Sequence, residues 1–199
     1  MNAQLERLQQ GYTSGARKLV SDLVGGLRRI PVTANQVTAV AFLLNIAAAV
    51  LIYDERWILA GILFLVGSIL DVFDGAIARS KGEAGPRGAF IDSTFDRIAE
   101  GAVLGAIALA FARQGETLAQ AAVFAALVGS FLTSYTRAKA EAIGLDGTSG
   151  FMARAERVVL IGATLLFAPL GALPYGIELL AVLSAVTVLQ RVRHVLRQL

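Results

Sequence analysis

Long runs of apolar residues, separated by short polar segments, make up most of the chain. Six runs carry no charged residue: 37–53, 57–70, 101–112, 118–136, 158–177 and 179–190. A helix that crosses a bilayer needs about 20 predominantly apolar residues, so the shorter runs need their polar flanks in order to span. The pattern predicts an all-α integral membrane protein with six transmembrane helices.

The first 30 residues follow a different pattern. Leucines recur at roughly helical spacing beside basic residues such as Arg17 and Lys18, which predicts an amphipathic helix lying on the membrane surface. Pro31 and the segment Thr33–Gln36 then interrupt the pattern. We therefore expect a juxtamembrane amphipathic helix over residues 1–30 and a six-helix transmembrane domain over residues 31–199.

Composition and charge support a membrane location and suggest an orientation. Hydrophobic residues make up 56% of the 199, and the mean hydropathy of +0.65 excludes an ordinary soluble domain. Lysine and arginine concentrate in residues 1–30, 79–87, 137–157 and 191–197, which are alternate ends of the predicted spans. The positive-inside rule predicts a multi-pass protein of the cell membrane with both termini and these loops in the cytoplasm.

Four aspartates interrupt the apolar pattern. Asp71 and Asp74 lie three apart in the second predicted span, and Asp92 and Asp96 lie four apart in the third, so each pair shares a helix face. A carboxylate at the centre of a bilayer helix costs about 2.5–3.5 kcal/mol, which calls for a compensating charge. Oxygen ligands without histidine or cysteine favour Mg²⁺ or Mn²⁺, and four carboxylates can hold two ions. The alternative is a set of buried ion pairs with Arg79 and Arg97.

These aspartates belong to a longer pattern that resembles the motif of the CDP-alcohol phosphotransferase family. The eight matching positions are Asp71, Asp74, Gly75, Ala78, Arg79, Gly88, Asp92 and Asp96. The resemblance implies a metal-dependent enzyme of phospholipid biosynthesis that transfers a phosphatidyl-type group from CDP-diacylglycerol or CDP-archaeol to an alcohol and releases CMP. It implies that Asp71, Asp74 and Asp92 bind one metal ion and that Asp71, Asp92 and Asp96 bind a second. Asp96 would also act as the general base toward the alcohol.

The same resemblance implies a binding site for the CDP group. Its residues would be Thr33, Ala34, Asn35, Gln36, Gly75, Arg79 and Gly85. Arg79 suits a diphosphate because one guanidinium can bond two oxygens at once. Simple alternatives exist for some of these residues: Thr33 and Asn35 could cap the first span, and Arg79 could anchor the helix at the cytoplasmic interface.

A group of basic residues later in the chain bears on the acceptor. Arg137, Arg157 and Arg191 lie at the cytoplasmic ends of the last three predicted spans, and three converging guanidinium groups would suit an acceptor that carries a phosphate. This stretch resembles the phosphatidylinositol phosphate synthase branch and its archaeal-lipid counterparts. That resemblance implies inositol 1-phosphate as the acceptor, with Ser134 and Arg154 close to its phosphate. The alternative is that these arginines only set the orientation of the chain in the membrane.

Other functions and partners stay open at this point. A phosphatidylglycerol phosphate synthase also uses a phosphorylated acceptor, and a divalent-cation transporter would also carry intramembrane acids, although broken helices and inverted repeats are not evident. Gly101 and Gly105 have the spacing of close helix contacts, either in a homodimer or within one chain. The expected partners are a CDP-linked lipid, a phosphorylated alcohol and membrane lipids, without nucleic acid.

Overall fold

The computed structural model describes residues 32–199, so the amphipathic helix predicted over residues 1–30 lies outside the described residues. All regular structure between 32 and 199 is helical, as predicted. The six α-helices are α1 (Ala34–Tyr53), α2 (Trp57–Lys81), α3 (Pro86–Gln114), α4 (Thr117–Ala142), α5 (Arg154–Leu166) and α6 (Leu173–Leu196). A short 3₁₀ turn, Ala168–Leu170, separates α5 from α6.

Four of these helices, α1, α2, α4 and α6, are long and apolar enough to cross a membrane. The other two differ from the predicted spans for reasons visible in their sequences. Helix α3 has 29 residues but carries charged groups along its first half, including Asp92, Arg97 and Glu100. Helix α5 has only 13 residues, because the 3₁₀ turn containing Pro169 ends its regular hydrogen bonding.

The helix ends near the aspartates follow ordinary capping chemistry. At the start of α1, the Thr33 hydroxyl accepts a hydrogen bond from the Gln36 N–H, and the Gln36 side chain accepts one from the Thr33 N–H. Gly82 caps the C-terminus of α2, and its φ of +70° is a left-handed conformation that glycine adopts without steric cost. Pro86 then begins α3 after a short turn.

Helix α1 packs closely against both α2 and α3, whereas α2 and α3 scarcely approach each other along their backbones. Although a short turn joins α2 to α3, it is their carboxylate side chains and not their backbones that come together. A cavity lined by residues of α1, α2 and α3 lies between the polar ends of α2 and α3. Helix α2 packs instead against α5, and α4 packs against α6.

The interior is built from small and branched apolar side chains, among them Leu104, Ile107 and Ile161, which are almost fully buried. Large apolar side chains on the outer faces stay exposed, as in a protein surrounded by lipid. Gly101 and Gly105, whose spacing is typical of close helix contacts, have different surroundings. A Cβ on Gly101 would lie 3.8 Å from the Phe131 ring of α4, whereas a Cβ on Gly105 would have no neighbour within 4 Å.

Candidate active site

The carboxylates of α2 and α3 meet at one point of the structure. One oxygen from each of Asp71, Asp74 and Asp92 lies within 4.8 Å of the others. Asp71 and Asp74 are buried, and Asp92 is half-buried. Thr38, one turn into α1, donates a hydrogen bond to Asp74. The structure thus brings together three of the four aspartates that the motif singled out.

The fourth, Asp96, is one turn further along α3 and is 7% exposed. Its Oδ1 lies 2.5 Å from Nη2 of Arg154, and its Oδ2 lies 3.3 Å from Nη1 of Arg97. The other terminal nitrogen of Arg154 donates to Asp71. Arg154 therefore joins Asp71 of α2 to Asp96 of α3, whereas the resemblance implies a place close to the acceptor phosphate.

The donor set fits a hard divalent cation. Each member supplies carboxylate oxygen, which Mg²⁺ and Mn²⁺ prefer, and the cluster contains no nitrogen or sulfur ligand. Several carboxylates held this close, and mostly out of water, repel one another unless cations neutralise them. Asp71, Asp74 and Asp92 are the residues that could hold an ion directly.

A cavity of about 260 Å³ opens beside this cluster, between the start of α1, the end of α2 and the start of α3. Both Asp74 and Asp92 line it. The predicted CDP-binding residues that also line it are Ala34, Asn35, Gly75, Arg79 and Gly85.

Arg79 extends over Gly75, where an added Cβ would lie 3.2 Å from its Nη1, so the absence of a side chain keeps space for the guanidinium. Thr33 and Gln36 do not line the cavity, and their side chains are engaged in the capping box.

A larger cavity of about 670 Å³ lies on the other side of α3, between α3 and α4. Asp92 lines both cavities, and Asp96, Ser134 and Arg137 line this one. Arg137 is exposed, and its Nε lies 2.8 Å from Oε1 of Glu141 one turn along α4. The carboxylates thus lie between two cavities, each with an arginine on its wall.

The structure does not bring Arg157 or Arg191 to this larger cavity. Arg157 is 2% exposed and donates two hydrogen bonds to Glu100, of 2.7 and 2.9 Å. Arg191 is also 2% exposed and donates to the backbone carbonyls of Ser149 and Thr133. Arg191 lies within electrostatic reach of both Arg137 and Arg157, so the three guanidinium groups occupy one region, but internal acceptors already engage Arg157 and Arg191.

Ser149, one of the acceptors for Arg191, belongs to the loop between α4 and α5, which is tied to the end of the chain. Asp146 in this loop accepts hydrogen bonds from the hydroxyl and the N–H of Thr148, which lower the pKa of its carboxyl. The Gln198 side chain bonds both the N–H and the carbonyl of Asp146. These contacts hold the segment that leads into Arg154.

Two contributors to the site were missed in the sequence. Glu100 follows Asp96 by four residues, so a helix-face argument could have found it. Thr38 carries no comparable signal, since threonine is common in apolar helices and its partner Asp74 is 36 residues away.

Comparison with known proteins gives a consistent result. A family model described as CDP-alcohol phosphatidyltransferase matches residues 31–190. The archaetidylinositol phosphate synthase of Pyrococcus horikoshii is 38% identical over 175 residues, which cover 87% of this chain and 88% of that protein. The phosphatidylinositol phosphate synthase of Mycobacterium tuberculosis is 35% identical over 189 residues, which cover 89% of this chain and 86% of that protein.

Solved structures of the Mycobacterium tuberculosis synthase resemble this fold. The structure with CDP-DAG bound superposes with a TM-score of 0.80 and 30% identity, over 89% of this chain and 94% of that one. The structure in complex with manganese and citrate superposes with a TM-score of 0.81 and 31% identity, over 89% of this chain and 88% of that one.

Proposed function

The chain belongs to the CDP-alcohol phosphatidyltransferase family, and we propose that it transfers the phosphatidyl-type group of a CDP-linked lipid to inositol 1-phosphate and releases CMP. One observation carries the proposal: carboxylates from α2 and α3 converge between two cavities, each of which has an arginine on its wall. A group-transfer reaction needs such a layout, because the attacking hydroxyl oxygen and the departing CMP oxygen lie on opposite sides of the phosphorus atom.

The proposed metal ligands are Asp71, Asp74, Asp92 and Asp96, holding two ions of Mg²⁺ or Mn²⁺. Asp71 and Asp92, from opposite helices, would be shared. When bound, such ions polarise the phosphate and offset the negative charge that develops on the departing CMP. Support comes from the oxygen-only donor set and from the manganese bound to the similar Mycobacterium tuberculosis synthase.

The donor would occupy the smaller cavity. Arg79 can bond diphosphate oxygens bidentately, Gly75 leaves room for its guanidinium, and Gly85 allows the nucleotide to approach the backbone closely. The capping box of Thr33 and Gln36 would act indirectly, by holding the start of α1 and its residue Asn35 at the cavity wall. The CDP-DAG bound to the similar synthase supports this assignment.

The acceptor would occupy the larger cavity, with its phosphate on Arg137 and Ser134 and its hydroxyl facing Asp96. Asp96 would take the hydroxyl proton as the alcohol oxygen bonds to the lipid-linked phosphorus, while the bond from phosphorus to the CMP oxygen breaks. Arg137 suits a phosphate because it is exposed and Glu141, with which it pairs, is exposed as well. Arg157 and Arg191 would stabilise the packing of the helices through their internal hydrogen bonds and would not contact the acceptor.

The membrane arrangement is part of the proposal. Helices α1, α2, α4 and α6 would cross the bilayer, and α3 and α5 would complete six spans, with their charged residues facing the cavities and one another. The basic segments support an orientation with both termini and the active site on the cytoplasmic side. A homodimer stays a prediction.

The test is release of CMP from purified protein reconstituted in liposomes that contain CDP-diacylglycerol or CDP-archaeol. Inositol 1-phosphate, free inositol and glycerol 3-phosphate are offered separately. We expect CMP release with inositol 1-phosphate, its loss on chelation and its recovery with Mg²⁺ or Mn²⁺. Release with glycerol 3-phosphate alone would make the protein a phosphatidylglycerol phosphate synthase. Metal flux into the liposomes without any CMP release would favour a transporter.

A further inference from the structure

Arg154 lies where the proposed metal site needs free carboxylate oxygens. Its two terminal nitrogens contact Asp71 on α2 and Asp96 on α3. We propose that Arg154 is the resident counter-cation of these carboxylates and that a divalent cation must displace it from them in order to bind both. This inference rests on the proposed metal-dependent function and adds a competition between a side chain and the metal ion.

Charge balance explains why a cation is needed there. Asp71 and Asp96 are 8% and 7% exposed, and an uncompensated carboxylate at that depth is strongly unfavourable. Arg97 also reaches Asp96, but its 3.3 Å contact is longer and it does not touch Asp71. Arg154 is the described residue that bridges the two helices at this point.

The surroundings of Arg154 favour movement of its side chain and not of its helix. Arg157, one turn further along α5, is held by two hydrogen bonds to the buried Glu100, which fixes this end of α5 against α3. Arg154 is the first residue of α5, and its side chain is 31% exposed. The guanidinium can therefore leave the carboxylates by rotation about its own flexible side chain.

Competition between the Arg154 guanidinium and a divalent cation has two measurable consequences. Because the guanidinium must leave before an ion binds both carboxylates, its removal should strengthen metal binding. Because the metal-free carboxylates lose their counter-cation, the same substitution should destabilise the metal-free protein and leave the metal-loaded protein unaffected.

The first measurement is binding of Mn²⁺ alone to detergent-purified protein, read from the EPR signal of free Mn²⁺, without lipid or acceptor. For Arg154→Gln we expect a Kd lower than wild type by about fivefold or more, the lower range of typical coupling between competing sites. Arg97→Gln is the matched control, since it removes an equal charge beside Asp96 without vacating the bridge, and it should change the Kd much less. Arg154→Lys, which keeps the charge but cannot reproduce the planar bridge, should lie between Arg154→Gln and wild type.

The second measurement is thermal unfolding with chelator and with saturating Mn²⁺. Arg154→Gln should unfold at a lower temperature than wild type in chelator and at the same temperature in Mn²⁺. An unchanged or higher Kd for Arg154→Gln would overturn the proposed competition, as would an equal decrease in Kd for Arg97→Gln. Neither result would contradict the proposed metal site itself. If Arg154→Gln cannot be purified, a Kd for Arg154→Lys no lower than that of wild type would overturn it. Absence of Mn²⁺ binding to wild type would overturn both this inference and the proposed function.

Discussion

The buried pair of Glu100 and Arg157 gives a prediction that separates structural support from acceptor binding. It joins α3 to α5, whose backbones scarcely approach each other, and its side chains are 11% and 2% exposed. Arg157→Gln leaves the Glu100 carboxylate buried without its cation. Breaking a buried pair in this way costs about 3–5 kcal/mol, so we expect a loss of that size in the free energy of unfolding.

The assay is thermal unfolding of both single variants and the double variant in one detergent. For a chain of this length 1 kcal/mol corresponds to about 2–4 °C in Tm, which places the expected loss at roughly 6–20 °C. The double variant Glu100→Gln with Arg157→Gln should recover much of that loss, because no unpaired charge remains buried. If the double variant loses less stability than the two single variants lose in sum, Glu100 and Arg157 stabilise the protein as a pair.

Arg137→Gln is the control, because its pair with Glu141 is exposed and such i,i+4 pairs contribute only about 0.3–0.5 kcal/mol. It should therefore retain wild-type stability. The reasoning would be refuted if Arg157→Gln kept the wild-type Tm and raised the KM for inositol 1-phosphate alone. Arg157 would then contact the acceptor, as the resemblance to inositol phosphate transferases first suggested.

Three further predictions concern the reaction itself. Asp96→Asn should abolish transfer while CDP-lipid binding stays measurable by titration, and wild-type turnover would remove Asp96 from the role of base. Gly75→Ala should raise the KM for CDP-lipid several-fold because the new methyl group displaces the Arg79 guanidinium, whereas Gly105→Ala, with open space around it, should leave that KM unchanged. Arg137→Gln should raise the KM for inositol 1-phosphate about tenfold, equivalent to about 1.4 kcal/mol, and should change the KM for CDP-lipid little. Equal increases in the two KM values would argue against an acceptor-phosphate site.

Local rules accounted for much of the fold and for the clustering of Asp71, Asp74 and Asp92. Apolar runs and charged loops predicted the order of the helices, and spacings of three and four residues put Asp71 with Asp74 and Asp92 with Asp96 on single faces. The motif formed by these aspartates also led to the family, which the comparisons confirmed. Such inferences succeed because helix periodicity and hydrophobicity act over a few residues, so one stretch of sequence contains all the information needed.

The roles of the arginines depend on the tertiary structure. In the sequence Arg137, Arg157 and Arg191 look alike, as basic residues at the ends of apolar runs, yet only Arg137 lines the larger cavity. Arg157 pairs with a carboxylate 57 residues away, and Arg154 with one 83 residues away. Helix periodicity does not reach across such separations, because each partner is set by which helices pack together.

The sequence by itself therefore determined a helical membrane transferase of known family with an acidic metal site. The tertiary structure decided which arginine lines the larger cavity, which one pairs with a buried glutamate and which one contacts the aspartates. The physical reason is that a guanidinium bonds the nearest unsatisfied oxygens, and their positions depend on the packing of all six helices.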